Sequence, residues 1–462
     1  MQMYINYEYT QTDKNNTQKP QNSLSLYFNP QIVTKMRTCG LDVHKDTIFC
    51  AIYDGRKASV EKFSTFTPDI EAMCAHMVRQ GVGTAAMEST GIYIDAIRTI
   101  LRQNQLHSKV ANPLLIKQMP GRKSDAKDSV WIAKLDHKGM LPASFAPDEV
   151  LTELRTYTRA YCRFVQRQSS VLTSLDRILV SAGIRLRSVL STTSTKSFLE
   201  VARCIAGGET RPDELMRHVY GRARNRPRLR DALTGCIERR HIWQLQQAFE
   251  EYDMYERRIA QAREKMEGLA EAHYHEELRL VQTIPGISLV SAICIIAEIG
   301  VDMSAFGSSG RLCGWAGLRP RNDESAGKYK SRALTKGGRH LKPMLVQCAW
   351  GAARTKGSKF QETFGRLVVR KGEKKAIVAV ARKLLVTVYT LLNNKEEYCP
   401  EKAGKRPSGD QLAKQLSYHV RQCERLGRLL PATEGTSASD DLNKSNNEKA
   451  VYFCGSARPN RT

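Results

Sequence analysis

The sequence predicts an α/β domain at the N-terminus, a long helical arm, and a mainly α-helical domain on the C-terminal side. Three observations carry this prediction. Short apolar runs rich in β-branched residues alternate with amphipathic helical patterns over residues 37–145. Polar segments with helical spacing and few breakers fill 150–200 and 236–280, which is typical of a helical arm or a coiled-coil pair. A helix, a tight turn at Pro285-Gly286 and another helix then open a second compact unit.

The elements of the α/β domain follow from local patterns. Short apolar runs, several rich in β-branched residues, predict five strands, at 38–43, 47–53, 58–63, 83–87 and 107–111. Helical spacing predicts helices at 68–80, 92–103 and 124–135, with Ser124 as the N-cap of the last. Three strands followed by helix, strand, helix, strand and helix favour one mixed sheet with helices packed on it.

The chain divides into five predicted segments. The first is rich in Asn, Gln, Tyr and Ser without a period, so it is expected to be disordered, and Met36 is a candidate natural start. The last segment loses its helical period and is also expected to be a disordered tail. The segments are the extension 1–35, the α/β domain 36–148, the helical arm 149–280, the C-terminal domain 281–392 and the tail 393–462.

The net charge of the 462-residue chain is its most informative bulk property. Seventy-two Lys and Arg residues against 47 Asp and Glu give +25, which favours a polyanionic partner, most often nucleic acid. No run of about 18 apolar residues predicts a membrane span, and the N-terminus lacks the features of a secretory signal. Twelve scattered cysteines without a CxxC pattern favour a reducing compartment. We therefore expect a cytoplasmic protein without a membrane partner.

The positive charge is concentrated in two places. Residues 319–383 hold 18 Lys and Arg but four acids, a net charge of +14 in 65 residues. Residues 217–240 hold eight arginines against Asp231 and Glu238. The first stretch indicates nucleic-acid binding. For the second, a solvated loop and a phosphate-binding segment are both open, because arginines at this density repel one another unless an anion is bound.

Four acids stand out as candidate metal ligands. Asp42 lies within an apolar strand, where a carboxylate is costly unless it is paired or binds a cation. Glu88 ends another apolar run, while Asp125 and Asp128 share one face of a helix. Together they could hold a hard divalent cation that acts on phosphate esters. Taken singly, the two helical acids would serve as well as partners of the helix dipole.

These residues carry a resemblance to a known family. GLDVHKD at 40–46, AMESTGIY at 86–93 and KSDAKDS at 123–129 resemble the Asp-Glu-Asp-Asp pattern of bacterial insertion-sequence transposases of the IS110 family, IS1111 subgroup. The resemblance implies a RuvC-like, ribonuclease-H-type fold for the α/β domain. It also implies that Asp42, Glu88, Asp125 and Asp128 hold Mg²⁺ or Mn²⁺.

The C-terminal unit resembles the same family. IPGISLVSAICIIAEIG at 284–300, GWAGLRPRNDESAGKYKS at 314–331 and TKGGRHLKPMLVQCAW at 335–350 are similar to its transposase domain. There a serine nucleophile is implied, which falls on Ser325, although Glu324 and Ala326 depart from the usual Ser-Ser-Gly-Gly. Ser331 and Thr335 are alternative hydroxyls. The residues expected to contact nucleic acid are Arg319, Arg321, Lys328, Lys330, Lys336, Arg339, Arg222, Arg224 and Arg226.

The resemblance implies a DNA transposase that cleaves and rejoins strands through a phosphoserine intermediate. It further implies a dimeric or tetrameric complex with DNA and, for some members, a structured guide RNA that pairs with both DNAs. Two alternatives remain at this point. The first is a RuvC-like nuclease in which Ser325 is structural, and the second is a binding protein without catalytic activity.

The remaining prominent residues have simpler interpretations. Trp243, Trp315 and Trp350 are expected in cores, because tryptophan more often packs than stacks on a base. Tyr329, between two lysines, is the better candidate for stacking on a base. His44 lies in a predicted turn and is given no role.

Overall fold

The N-terminal domain contains a five-stranded sheet. The computed structural model describes residues 37–89, 91–111, 125–321, 323–325, 328–331, 333–335, 337–400, 416–417 and 420–421. The predicted extension 1–35, Met36, Ser124, Lys336 and most of the tail lie outside them. The elements of the domain are β1 (Arg37–Val43), β2 (Thr47–Tyr53), β3 (Ala58–Ser64), α1 (Thr67–Arg79), β4 (Val82–Glu88), α2 (Tyr93–Gln103), β5 (His107–Ala111) and α3 (Asp125–His137).

The sheet is mixed, with strand order β3-β2-β1-β4-β5. β1 runs antiparallel to β2 and parallel to β4, which is in turn parallel to β5. Helices α1 and α2 bury one face through residues such as Ile70 and Ile97. Helix α3 packs on the other face, where Ile132 and Leu135 meet Ala86. The prediction of a mixed sheet covered by helices is confirmed.

Two long helices form the arm. They are α4 (Glu149–Ser181), capped by an Asp148 carboxylate that accepts from the Leu151 amide at 2.7 Å, and α8 (Arg239–Gln282). Leu154 packs with Met266 near one end of the arm, and Leu172 packs with Tyr252 towards the other. The helices therefore run antiparallel, and the coiled coil stays a prediction.

The segment between the arm helices is folded, and the prediction that residues 150–200 are helical throughout was wrong. Helix α4 ends at Ser181 instead of continuing to residue 200, because Gly183 adopts a φ of +87°. The arginine-rich stretch belongs to a set of short helices around a buried core. They are α5 (Lys196–Ala206), α6 (Pro212–Met216) and α7 (Leu229–Ala232), with 3₁₀ turns at Leu186–Ser188 and Gly221–Asn225.

The C-terminal domain packs around the apolar helix that was predicted after Pro285-Gly286. Gly286 has a φ of +86°, and a Cβ there would lie 2.3 Å from the Ala352 amide nitrogen. Glycine is therefore required for this turn to pack against the helix that contains Ala352. The elements are α9 (Leu289–Ile299), α10 (Ser309–Trp315), β6 (Asp323–Ser325), β7 (Lys328–Ser331), α11 (Leu341–Arg354), α12 (Lys359–Lys371) and α13 (Glu373–Asn394).

The sequence indicated two helices after the glycine-rich region, whereas the structure has three. Gly372, at a φ of +73°, separates α12 from α13. Helix α13 is long and apolar enough to cross a membrane by length and composition. Val380, Leu384 and Leu385 on this helix are fully buried in the C-terminal core, which accounts for its apolar character.

Candidate active site

A close contact between β1 and α3 builds the site. Thr38, Gly40 and Asp42 alternate along β1 and therefore face the same side of the sheet. A Cβ on Gly40 would lie 2.1 Å from the Ser129 carbonyl oxygen, so glycine allows the helix backbone to touch the strand. The Thr38 hydroxyl donates to the Ala133 carbonyl at 3.1 Å. The first turn of α3 is thereby held beside Asp42.

Asp42, His44 and Asp125 meet at this contact. Nε2 of His44 lies 3.3 Å from Oδ2 of Asp42 and 3.5 Å from Oδ2 of Asp125. One ligand atom from each of the three lies within 4.8 Å of the others, which is close enough to share a cation. Asp42 is 8% exposed, whereas the other two side chains reach solvent. The site thus has a buried floor and an open mouth.

The pKa of Asp42 depends on its burial and on three charged neighbours. Burial raises the pKa of this carboxyl, the adjacent His44 opposes that shift, and the negative charges of Asp125 and Asp128 raise the pKa further. Asp128 is therefore close enough to act on Asp42 through its charge. Three carboxylates that repel one another around a partly buried centre favour a bound cation.

Glu88 lies at the end of the neighbouring strand. The parallel register pairs Leu41 with Met87, so Asp42 and Glu88 follow at the same level of the sheet. Ala86, two residues before Glu88, packs on the α3 side of the sheet. By strand alternation Glu88 belongs to that side too. Of the four predicted acids, the structure brings Asp42 and Asp125 together with His44, whereas Glu88 and Asp128 lie outside that cluster.

The contribution of His44 was missed at the sequence level. It lies in the turn between β1 and β2, where its backbone amide donates to the Thr47 carbonyl at 2.9 Å. Its position two residues after Asp42 was the available signal, because that spacing returns a side chain to the same face. The packing of α3, which brings Asp125 to the ring, is a tertiary feature that the local pattern did not contain.

Ser325 ends the first strand of a short hairpin. The antiparallel register pairs it with Lys328 and pairs Glu324 with Tyr329. The sequence predicted an irregular glycine-rich loop here. Backbone hydrogen bonds from Arg321 to Ala333 (2.8 Å) and from Thr335 to Arg319 (2.9 Å) continue the hairpin towards its base. Ser325 is thus carried on an ordered β-ribbon.

Glycine packing fixes the base of this hairpin. A Cβ on Gly337 would lie 2.4 Å from the Trp315 carbonyl oxygen, so the returning chain touches the end of α10. The two alternative hydroxyls have structural partners. The Thr335 hydroxyl donates to the Gly314 carbonyl at 3.0 Å, and the Ser331 hydroxyl accepts from the Ala333 amide at 3.2 Å.

Comparison with known proteins identifies the family. A DEDD transposase profile of the IS110 type matches residues 39–184, and a profile described as the transposase IS116/IS110/IS902 family matches residues 278–364. The transposase for insertion sequence element IS1111A of Coxiella burnetii (strain RSA 493 / Nine Mile phase I) is 30% identical over 144 residues. That alignment covers 30% of this chain and 39% of the relative.

The chain belongs to the IS110 family of transposases.

The two matched regions contain the residues that the sequence predicted for the site. Asp42, Glu88, Asp125 and Asp128 fall in the DEDD region, which together with the acidic cluster indicates the use of a divalent metal. Ser325 falls in the other region. Residues 185–277, which include most of α8 and the short helices between the arm helices, lie in neither.

Aromatic packing joins the two matched regions of the chain. Phe145, which follows the DEDD acids in sequence, lies 5.1 Å from Phe306 and 6.2 Å from Trp315 between ring centroids. Nearby, a cavity of about 370 Å³ is lined by Lys109, Tyr274 and Asp302, among others. The acids and Ser325 lie on different domains of one chain, and these contacts link the two domains.

The predicted nucleic-acid residues of the transposase lie on two surfaces. Arg319 and Arg339 are exposed and Arg321 is half-buried around the base of the hairpin, while Lys328 and Lys330 lie on β7. The other surface, between the arm helices, carries Arg222, Arg224 and Arg226, which are all exposed. Trp315 and Trp350 pack against the C-terminal core, as predicted. The prediction for Trp243 was wrong, because it is 61% exposed.

Proposed function

We propose that the chain cleaves and rejoins DNA strands to move an insertion sequence. The observation that carries the proposal is the meeting of Asp42, His44 and Asp125 within 4.8 Å in a DEDD transposase domain. Acids collected at a strand end beside an open surface suit phosphoryl transfer, in which catalysis is mainly positioning and charge stabilisation.

The four acids would hold Mg²⁺ or Mn²⁺. Carboxylate oxygens are the ligands that both ions accept, and a nearby imidazole suits Mn²⁺ better than Mg²⁺. A bound ion would stabilise the negative charge that develops on the transferring phosphate. Asp42 would be the most rigid ligand, because it is buried on β1, whereas Asp125 and Asp128 would be positioned by α3.

Ser325 would be the nucleophile. Its Oγ loses a proton and forms a bond to phosphorus, while the bond from phosphorus to one bridging oxygen breaks. The released strand end takes up a proton and leaves as a hydroxyl. A hydroxyl from the partner strand then displaces Ser325 from the phosphoserine ester, which restores the enzyme and joins the strands. The cations around Ser325 would bind the scissile phosphate.

The nucleic-acid partners follow from the basic surfaces. Arg319, Arg321, Lys328, Lys330 and Lys336, with Arg339, would hold DNA backbone near Ser325 without reading bases. Sequence choice would then come from a structured guide RNA that pairs with the element ends and the target. Strand exchange between two DNAs requires a dimer or tetramer. The protein would act in the cytoplasm, at the nucleoid.

The alternative is a RuvC-like nuclease that hydrolyses DNA with water and uses Ser325 only structurally. The cluster of Asp42, His44 and Asp125 is compatible with both reactions. The antiparallel register, which pairs Ser325 with Lys328, supports the transposase.

A covalent trap tests the proposal. The protein, the RNA transcribed from the non-coding flank of its element and a plasmid carrying the element would be mixed with Mn²⁺ and stopped with denaturant. A protein–DNA adduct that maps to Ser325, and is lost in Ser325→Ala while DNA binding survives, is the expected result. Cleavage by Ser325→Ala at the wild-type rate without an adduct would establish the nuclease.

A further inference from the structure

The arm ends in a folded segment, which we call the tip (residues 182–245), whose core is continuous with buried residues of both arm helices. Its short helices enclose a core that includes Phe198, Val201, Leu233 and Leu245. The chain enters and leaves side by side, since the Cys236 amide donates to the Ala182 carbonyl at 2.8 Å. Most of the tip lies outside both regions matched by the transposase profiles.

The tip carries positive charge that the protein itself does not neutralise. It contains 13 Lys and Arg residues against six Asp and Glu, a net charge of +7. Seven of these cations form ion pairs, for example Arg203 with Asp253 and Arg230 with Asp213. Across the described residues, no carboxylate pairs with the other six. They are all exposed: Arg185, Arg187, Arg222, Arg224, Arg226 and Arg239.

An exposed indole lies on the tip. Trp243 is 61% exposed on the first turns of α8, while Leu245, two residues later, is buried in the tip core. Arg239 and Arg240 precede Trp243 by four and three residues and therefore share its face of the helix. Among the described residues, no aromatic ring or guanidinium covers the indole. The indole therefore offers an uncovered aromatic face beside two arginines.

Tyr220 provides an internal comparison. It is also exposed, at 44%, but Lys196 lies over its ring at 5.0 Å and its hydroxyl donates to Glu200. Its aromatic face already has a partner within the protein. Trp243 has none among the described residues. Both rings are exposed aromatic side chains, but only that of Trp243 is free to contact a ligand.

We propose that the tip binds a single-stranded nucleic-acid segment, with a base stacked on Trp243 and phosphates held by the unpaired arginines. Stacking on an aromatic face requires a base that is free of its own stack, which a duplex does not offer. The six unpaired arginines match a polyphosphate backbone and do not match a second, equally cationic copy of the tip. The binding requires neither the carboxylates nor Ser325, so it stands independently of the proposed reaction.

Tryptophan fluorescence gives a direct readout. The chain has four tryptophans, and the other three are partly buried in the structure. Single-stranded RNA and DNA of about 16 nucleotides and the matching duplex would be titrated into the full-length protein. Quenching by the single strands, lost in Trp243→Phe and kept in Tyr220→Phe, is the expected result. Whichever of RNA or DNA quenches at lower concentration identifies the class of strand.

Affinity measurements separate stacking from charge. Trp243→Ala should weaken single-strand binding roughly 5- to 150-fold and leave the melting temperature unchanged, because the ring is exposed. The triple variant of Arg222, Arg224 and Arg226 to Ala should lower the slope of log K against log salt by about two. Quenching that is unchanged in Trp243→Phe, equal quenching by duplex, or a loss of oligomers in Trp243→Ala would overturn the proposal; the last would assign Trp243 to a contact between copies.

Discussion

Arg159 of α4 donates two hydrogen bonds to the buried carboxylate of Glu298 on α9, at 2.8 and 3.0 Å. One turn earlier on α4, Arg155 donates to the Ala297 carbonyl at 2.6 Å. Burial lowers the pKa of Arg155 to about 10, so it is still charged at neutral pH. The arm is therefore fixed to the C-terminal domain by two arginines at the end of one apolar helix.

We predict that Glu298→Ala destabilises the protein by about 3 kcal/mol. The substitution leaves Arg159 without its carboxylate and opens space in the helix contact. The value lies at the low end of the range for breaking buried pairs, because the Arg159 side chain is 42% exposed. Denaturant unfolding measures the effect. Glu267→Ala, which removes an exposed ion pair with Arg263, should change stability by less than about 1 kcal/mol.

We predict that Gly40→Ala impairs both stability and DNA cleavage. Its Cβ would meet backbone atoms of α3, which cannot rotate away, so the helix must move and carry Asp125 with it. A destabilisation of about 1–3 kcal/mol is expected. Gly268→Ala is the matched control. It lies in α8 with no atom within 4 Å of the added Cβ and should stabilise by about 0.5–1 kcal/mol.

We predict that His44→Ala lowers the affinity for Mn²⁺ by about tenfold or more. The ring lies between Asp42 and Asp125, so its loss removes a ligand or the group that orients both carboxylates. Calorimetric titration of Mn²⁺ into the protein measures the change. His275→Ala, at an exposed position on α8, should leave the affinity unchanged. Equal affinities for both variants would mean that His44 does not belong to the metal site.

We predict a pH-dependent effect of Asp42→Asn. Burial raises the pKa of Asp42 above its ordinary value of 3.8, so the folded chain holds this proton more tightly than the unfolded chain. The associated stability is present below about pH 3.8 and is lost as the pH rises through the folded-state pKa. In EDTA at neutral pH, Asp42→Asn should therefore melt at a higher temperature than wild type, and the difference should shrink towards about pH 4.

Divalent cations should reverse that order. Wild type should gain about 2.7 kcal/mol of stability at a cation concentration one hundred times Kd, whereas Asp42→Asn should gain little. A variant that is stabilised by Mn²⁺ as strongly as wild type would remove Asp42 from the metal site.

We predict that Lys328→Ala together with Lys330→Ala weakens DNA binding about equally for all sequences. Both residues lie on β7, where Lys328 is the register partner of Ser325. Loss of two phosphate contacts should lower the slope of log K against log salt by about two. Fluorescence anisotropy over a series of salt concentrations measures it, with Lys374→Ala and Lys375→Ala on α13 as a charge-matched control.

Sequence patterns predicted the elements that local runs of apolar residues mark. The strands β2 and β5 were predicted with their bounds, since runs such as Thr47–Tyr53 are short, apolar and rich in β-branched residues. The hairpin of β6 and β7 was not, because three- and four-residue strands among glycines lack such an apolar run. Trp243 was wrongly predicted to be buried for another reason. Its helical spacing is the same as that of a core residue, and only the packing of neighbouring elements decides whether the indole is covered.

The candidate site shows the same division. Asp42 was identifiable as a single costly acid within an apolar strand. Its relation to His44 and Asp125 depends on the contact of Gly40 with Ser129, which joins residues 89 positions apart. Ser325 was located through the resemblance of its surroundings to a family, since a serine in a glycine-rich loop has no distinguishing physical signature of its own.

The side-by-side entry and exit of the tip have a consequence for how such proteins diversify. Because Ala182 and Cys236 are already hydrogen-bonded neighbours, a change in the length of the segment between them would keep the two ends together, provided that the residues packed on the arm helices, such as Phe198, are preserved. The positions of the carboxylates and of the hairpin of β6 and β7 would be unaffected by a change in the tip. New specificities could thus be acquired by exchange at one junction, leaving the chemistry untouched.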